Sequence, residues 1–352
     1  MRRPHPTLAS ATLALLPILL WGCGGDGPSP DAPPPGTAEA AEPAGGVAMP
    51  AASPAAAAPL TPAASFPIQD AAQVSGSALS PDGSTVVVST QERLGTPVTL
   101  RLYSSMSGEV LATAQVSTIG LGKLHWMADN RIVSADRDGT PGWRVWDGAT
   151  LAELPRLPQD ATCAEGQANR NTGAIYSSDG MVGMGEIICR LDTRDGSMVR
   201  SAAGLLARPD QFWVRSGSNE VVVLHSPNPE ESMELITLDG TSLTRTGSSV
   251  IQFGEVVEAV GATAWISRER SQTLEPGGIP APDLGPLRAS GTGAYFIHSN
   301  GMDDFVIVSA VDGSLVGSMP AGMNLSVFAD WSIDDSVFAR LTLDRGMEIY
   351  RL

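Results

Sequence analysis

Three cysteines, four histidines and a few paired aspartates are the side chains of this 352-residue chain whose chemistry reaches beyond packing. The histidines offer little. His125, His225 and His298 stand far apart, next to apolar runs, at no spacing that puts two ligands on one element. They read as strand residues. Asp136-Arg137-Asp138-Gly139 opens as a calcium loop does, with two hard oxygen donors and then a turn glycine. The distal bidentate glutamate is missing, because the chain runs into Pro141-Gly142-Trp143. Asp136 and Asp138 are therefore weak calcium candidates, and the segment reads first as a solvated hairpin loop. No Gly-x-Ser-x-Gly, phosphate loop or zinc signature occurs. These readings leave no catalytic residue to name and no cofactor to expect.

Cys23 carries the clearest chemistry. It ends the run Leu20-Trp21-Gly22-Cys23, behind Arg2, Arg3 and an apolar stretch from Leu8 to Leu20. A basic start, a short apolar core and small residues are the layout of an export signal. About 13 residues at 1.5 Å each reach roughly 20 Å, short of the ~30 Å hydrocarbon core, and Pro17 interrupts them. With a cysteine at the cleavage point, the segment resembles a bacterial lipoprotein signal. That resemblance implies that residues 1–22 are removed, that the Cys23 thiol receives a diacylglycerol, and that the new N-terminus is acylated. Acyl burial contributes about 0.8 kcal/mol per CH₂, and more than one chain is needed for lasting attachment; the lipoprotein pattern supplies more than one. Gly24 in place of aspartate after the cysteine points to the outer membrane of a diderm cell.

From Cys23 to residue 65 the composition is almost all Ala, Pro, Gly, Ser and acidic residues, with Pro33-Pro34-Pro35 and Ala55 to Ala58 as its simplest runs. So little apolar surface cannot offset the entropy of ordering. The segment is expected to be a disordered tether, about 120 Å long when extended and spanning ~35–40 Å as a coil. The formal charge of the whole chain is −16, and loss of Arg2 and Arg3 with the leader takes it to −18. Such a balance argues against nucleic acid or anionic lipid as partners. If Cys23 carries lipid, Cys163 and Cys189 remain as an even pair. In an oxidising compartment they read as a disulfide, with two buried free thiols as the alternative.

Past the tether one pattern recurs. A β-rich run meets a tight turn, then come a second run, a loop, a third run ending in a turn, and a fourth. The first turn recurs at Asp82-Gly83, Asp129-Asn130, Asn171-Thr172-Gly173, Gly217-Ser218-Asn219, Gly261, Gly291-Thr292-Gly293 and Asp334-Asp335. The later turn recurs at Ser107-Gly108, Asp147-Gly148, Asp195-Gly196, Asp239-Gly240, Pro276-Gly277-Gly278, Asp312-Gly313 and Asp344-Arg345-Gly346, the last of which also fits between a second and a third strand. Such dipeptides tolerate the positive φ of tight hairpins. The runs between them, such as Thr85-Val86-Val87-Val88-Ser89 and Glu220-Val221-Val222-Val223-Leu224, are rich in β-branched residues. Four strands per unit of about 40 residues is the period of a propeller blade. Trp143-Arg144-Val145-Trp146-Asp147 resembles the third-strand ending of a WD-repeat blade, and Ser80-Pro81-Asp82-Gly83 resembles the first hairpin of exported propellers. The resemblance is to the WD-repeat-like class as a whole, since a single unit has Trp-Asp and none has the opening Gly-His.

The expected fold is thus all-β: a seven-bladed, WD-repeat-like β-propeller over residues 66–352, after a signal peptide and a disordered linker. The final repeat, Leu325 to Leu352, is one strand short, and Phe66 to Val74 is expected to supply it. Pro276 to Pro286 is too rich in Pro and Gly for regular strands, so the blade holding it is expected to be irregular. Function follows only as classes. The first is a lipid-anchored, monomeric binding or scaffold module of the cell envelope, whose partner is an unspecified protein or envelope ligand. The second is a propeller enzyme of lactonase or quinoprotein type. A structural coat protein is a third.

Overall fold

The computed structural model describes residues 58–69, 73–93, 95–136, 142–158, 166–178, 187–203, 212–215, 217–228, 232–251, 256–260, 264–267, 288–299, 304–311, 314–320, 329–342 and 344–352. Among them every regular element is a β-strand. A single strand comes first, β1 (Ala64–Pro67). Blade one follows as β2 (Gln73–Leu79), β3 (Thr85–Gln91), β4 (Val98–Ser104) and β5 (Val110–Val116). Blade two is β6 (His125–Trp126), β7 (Arg131–Ala135), β8 (Trp143–Asp147) and β9 (Glu153–Leu157). Blade three is β10 (Gln167–Asn169), β11 (Ala174–Ser178), β12 (Ile188–Asp192) and β13 (Met198–Arg200). Blade four is β14 (Phe212–Val214), β15 (Glu220–Asn228), β16 (Ser232–Asp239) and β17 (Arg245–Ile251). A lone hairpin, β18 (Val256–Val260) and β19 (Ala264–Ser267), comes next. The penultimate blade is β20 (Arg288–Ala289), β21 (Tyr295–Ser299), β22 (Asp304–Ser309) and β23 (Leu315–Pro320). The closing blade holds β24 (Ala329–Trp331), β25 (Val337–Leu341) and β26 (Gly346–Arg351).

Each blade is an antiparallel meander, with its strands paired in chain order. The first strands of successive units touch one another: β24 touches β2, β2 touches β6, β10 touches β14, β14 touches β18, and β18 touches β20. This is a β-propeller, with the first strand of each blade innermost. The core lies between blades, face against face. Val87, Leu100 and Leu102 of blade one pack on Trp126, Ile132 and Trp146 of blade two. Met127, Val133 and Val145 of blade two pack on Ile175 and Leu191 of blade three. Tyr176 and Ile188 of blade three pack on Val221, Val223 and Ile236 of blade four.

Among the described residues, the expected count of seven blades is corrected to six four-stranded ones. Six sheets have four strands, whereas the unit between blade four and the penultimate blade shows the two-stranded β18–β19 hairpin among the described residues. Pro276 to Pro286 lies outside them. At the turn-bearing end of the inner strands, the first turns of blade four and of the penultimate blade meet directly. A Cβ on Gly217 would sit 2.0 Å from the Thr292 carbonyl oxygen, so only glycine fits there.

Ring closure also differs in its boundaries. The strand that completes the closing blade is Ala64–Pro67, paired antiparallel with β26 in the register Ala64↔Ile349 to Pro67↔Gly346. Residues from Gln73 onward belong to β2 and open blade one. The segment 66–74 is therefore divided between two blades. Phe66 joins them: it stacks on Tyr103 of blade one at 5.7 Å and shares a buried cluster with Val337, Leu341 and Met347 of the closing blade.

Candidate functional site

The inner strands converge on Arg170, which follows β10. Its Nε donates to the Trp126 carbonyl at 2.7 Å, and its Nη2 donates to the Leu79 carbonyl at 2.6 Å. Its Nη1 donates to the Trp331 carbonyl and to Asp330 Oδ1. The second carboxylate oxygen of Asp330 accepts the Leu79 N–H at 3.0 Å. One guanidinium therefore ties the inner strands of blades one, two, three and the closing blade. The planar fork of five N–H donors suits this task as an ammonium does not. The ion pair is well sequestered, with side chains 13% and 10% exposed.

Beside this latch lies a cavity of about 110 Å³, lined by Asn169, Asn171, Arg215, Ser290, Trp331 and the latch pair itself. Asn169 is held in place on both sides, since its Nδ2 donates to the Ser218 carbonyl and its Oδ1 accepts from the Thr172 N–H. Ser290 donates to Asp335, which also accepts from Thr292. Arg215 is buried and lies 3.7 Å from Glu220. The cavity thus offers amide, hydroxyl and guanidinium groups fixed on strand ends and first turns. That is the chemistry of recognition by hydrogen bonds and charge.

The turns around this end of the propeller carry carboxylates held ionised. The Thr150 hydroxyl and N–H hold the Asp147 carboxyl below its ordinary value. The Ser242 N–H and hydroxyl do the same for Asp239, and the Ser332 and Ser336 hydroxyls do so for Asp334. Asp192 is lowered furthest, by hydrogen bonds from Arg194 and from Arg190.

The residues singled out in the sequence fall elsewhere. The Asp136 side chain is fully buried rather than solvated in a loop. Its Oδ2 is paired with Arg144 at 2.6 Å and with Arg156 at 3.2 Å, and its Oδ1 accepts from Thr118. A calcium ion at this carboxylate would have to compete with two guanidiniums. Asp138 lies outside the described residues, as do Cys23 and Cys163. Cys189, buried in β12, is disulfide-bonded. His125, His225 and His298 sit on strands of three different blades. Among the described residues no group of three or more His, Cys, Asp or Glu side chains is placed to hold a metal ion. The latch pair escaped sequence reading because Arg170 sits in an ordinary turn and Asp330 in a two-sided apolar context. A carboxylate between Ala329 and Trp331 on a strand was the one signal available.

No protein-family model matches the chain, and no curated protein matches it. Among solved structures, the hydrazine synthase of Kuenenia stuttgartiensis superposes on it with a TM-score of 0.52 at 14% identity, covering 81% of this chain and 98% of that one. At that identity the likeness extends to the fold, and it agrees with the propeller described above.

Proposed function

We propose that this chain is an exported, lipid-anchored β-propeller of the cell envelope, a ring whose turn-lined end binds protein. The observation that carries the reading is the Arg170–Asp330 latch, which ties the inner strands of four blades together beside a polar, recognition-type cavity among first turns. The N-terminal run to Cys23 supplies the anchor, and outer-membrane delivery follows from Gly24. The fixed acidic turns favour a partner with a basic surface.

Two experiments test this. Cys23→Ser protein should accumulate as uncleaved precursor and leave the membrane fraction; normal processing and membrane partitioning would reject the anchor. A photo-crosslinker at Asn171, on the rim of the cavity, should capture a discrete envelope protein that the same label on Leu111, at the outer edge of blade one, does not. Equal capture at both positions would reject the turn-lined end as the binding surface. Stoichiometric bound metal in purified protein would instead favour the enzyme reading. We propose Cys163 as the partner of Cys189, to be checked by non-reducing peptide mapping.

A further inference from the structure

Before the ring-closing strand, the chain takes a course that ring closure does not require. The Leu60 N–H donates to the Ser318 carbonyl at 2.7 Å, and the Ser318 N–H donates to the Ala58 carbonyl at 2.9 Å. Residues 58–60 thereby run parallel to β23, bridged at Pro59↔Ser318. The Ala63 N–H then donates to the Ile349 carbonyl at 2.7 Å, and β1 begins on β26. The segment crosses from the outer edge of the penultimate blade to that of the closing blade.

Leu60 fixes this course. It packs against the buried cluster that includes Ile297, Phe305, Met319 and Trp331. Its seat is Gly317, where an added Cβ would lie 2.4 Å from Leu60 Cγ. Glycine inside a strand weakens it and marks a close approach of another group; here that group is the Leu60 side chain. The outer edge of β23 supplies main-chain donors and acceptors, and the missing side chain supplies a pocket. Those are the two components of strand addition, main-chain hydrogen bonds for affinity and a side-chain seat for register.

We infer that the outer edge of the penultimate blade is a strand-accepting site built around Gly317, filled in cis by Ala58–Leu60, and specific for an extended parallel segment with leucine over the glycine. It is separable from ring closure, because β1 has its own ladder on β26. It also fixes where the N-terminal segment meets the ring: at the circumference, between two blades.

Amide hydrogen exchange at Leu60 and Ser318 in the full-length protein reads the site directly. Gly317→Ala puts a methyl group into the leucine's seat and should speed exchange at both amides at least tenfold. Adding Leu60→Ala should return most of that protection, since it removes the Cγ and Cδ atoms that the new methyl group would strike. Full-length Leu60→Asp protein should release its own strap, and a peptide of residues 55–63 supplied in trans should then re-protect Ser318, whereas the same peptide carrying the aspartate should not. Unchanged exchange in Gly317→Ala, no rescue in the double variant, or a peptide without effect would each overturn the inference. So would loss of protection at Leu60 only in the same transition that unfolds the ring.

Discussion

Arg170 concentrates more of the ring in one side chain than any apolar residue does, and its replacement separates charge from geometry. Arg170→Ala leaves Asp330 buried without its counter-ion and three carbonyls without a donor, which costs about 3–5 kcal/mol. Arg170→Lys keeps the charge but cannot reach carbonyls on three strands at once, so it should recover only part of that loss. Urea unfolding of the three proteins gives the order wild type, Lys, Ala; a lysine variant equal to wild type would show that charge alone matters. The turn carboxylates give a second test. Hydrogen bonds from Arg194 and Arg190 depress Asp192, and hydroxyl and amide donors depress Asp147, Asp239 and Asp334. A depressed folded-state value means stability that is fully present above the ordinary aspartate pKa of about 3.9 and is lost as pH falls through the lower folded values. The urea midpoint should therefore stay flat from pH 7 to about 5 and fall steeply below about 4. Asp192→Asn should flatten part of that fall.

At the scale of the element, the hairpins show both how far the sequence is legible and where it misleads. First turns share one backbone form: Gly83, Asn130, Gly293 and Asp335 all have positive φ, and each donates its N–H three residues back, to Ser80, Met127, Ser290 and Ser332. Later turns are misaligned by their dipeptides. The dipeptides Asp147-Gly148 and Asp195-Gly196 look equivalent, yet the backbone aligns Leu151 with Gly196. Gly108, Leu151, Gly196 and Leu243 each donate to the carbonyl four residues back, and all four have positive φ. Leucine tolerates that conformation at two turns because its side chain is buried, at 3% exposure in both. Strand propensity and turn residues are local signals, so they survive in the sequence. The turn's phase depends on which neighbour receives the side chain, and that is a tertiary fact. Gly108 combines both constraints, since a Cβ there would lie 2.5 Å from Phe66. Gly108→Ala should cost about 1–3 kcal/mol by overpacking the ring closure. Thermal unfolding measures it, and a neutral effect would mean that Phe66 has room to move.

The ring as a whole was legible as a repeat, because seven similar hairpins require one architecture, and one blade was legible as irregular, but the number of four-stranded blades was not. Gly261 and Pro276-Gly277-Gly278 have the residue types of two blade turns, whereas four complete strands need ladder-forming runs between them. Closure was legible as a missing strand, and its address was not. Phe66 to Val74 and Ala64–Pro67 overlap, and the choice between them rests on Phe66 reaching Tyr103. A protein starting at residue 62 keeps β1 and should remain monomeric, with the melting temperature of the longer protein to within a few degrees. One starting at residue 70 loses β1 and Phe66, exposes the edge of β26, and should aggregate or melt far lower. Light scattering and thermal unfolding of the pair decide this, and equal behaviour would remove β1 from the closure.

The pairing of β1 with β26 also sets a clock. Its partners, such as Ala64 and Ile349, stand at opposite ends of the fold in sequence, so no ribosome or export channel can release the second until every blade between them has emerged. Contacts this distant form late, after the chain entropy between them has been reduced by the intervening blades. Until Gly346 to Arg351 arrive, Ala64–Pro67 has no strand to pair with, and the cluster around Phe66 lacks Met347 and Ile349. The propeller is therefore a structure that becomes whole only once β26 has emerged, and a chain halted before it is left as an open arc.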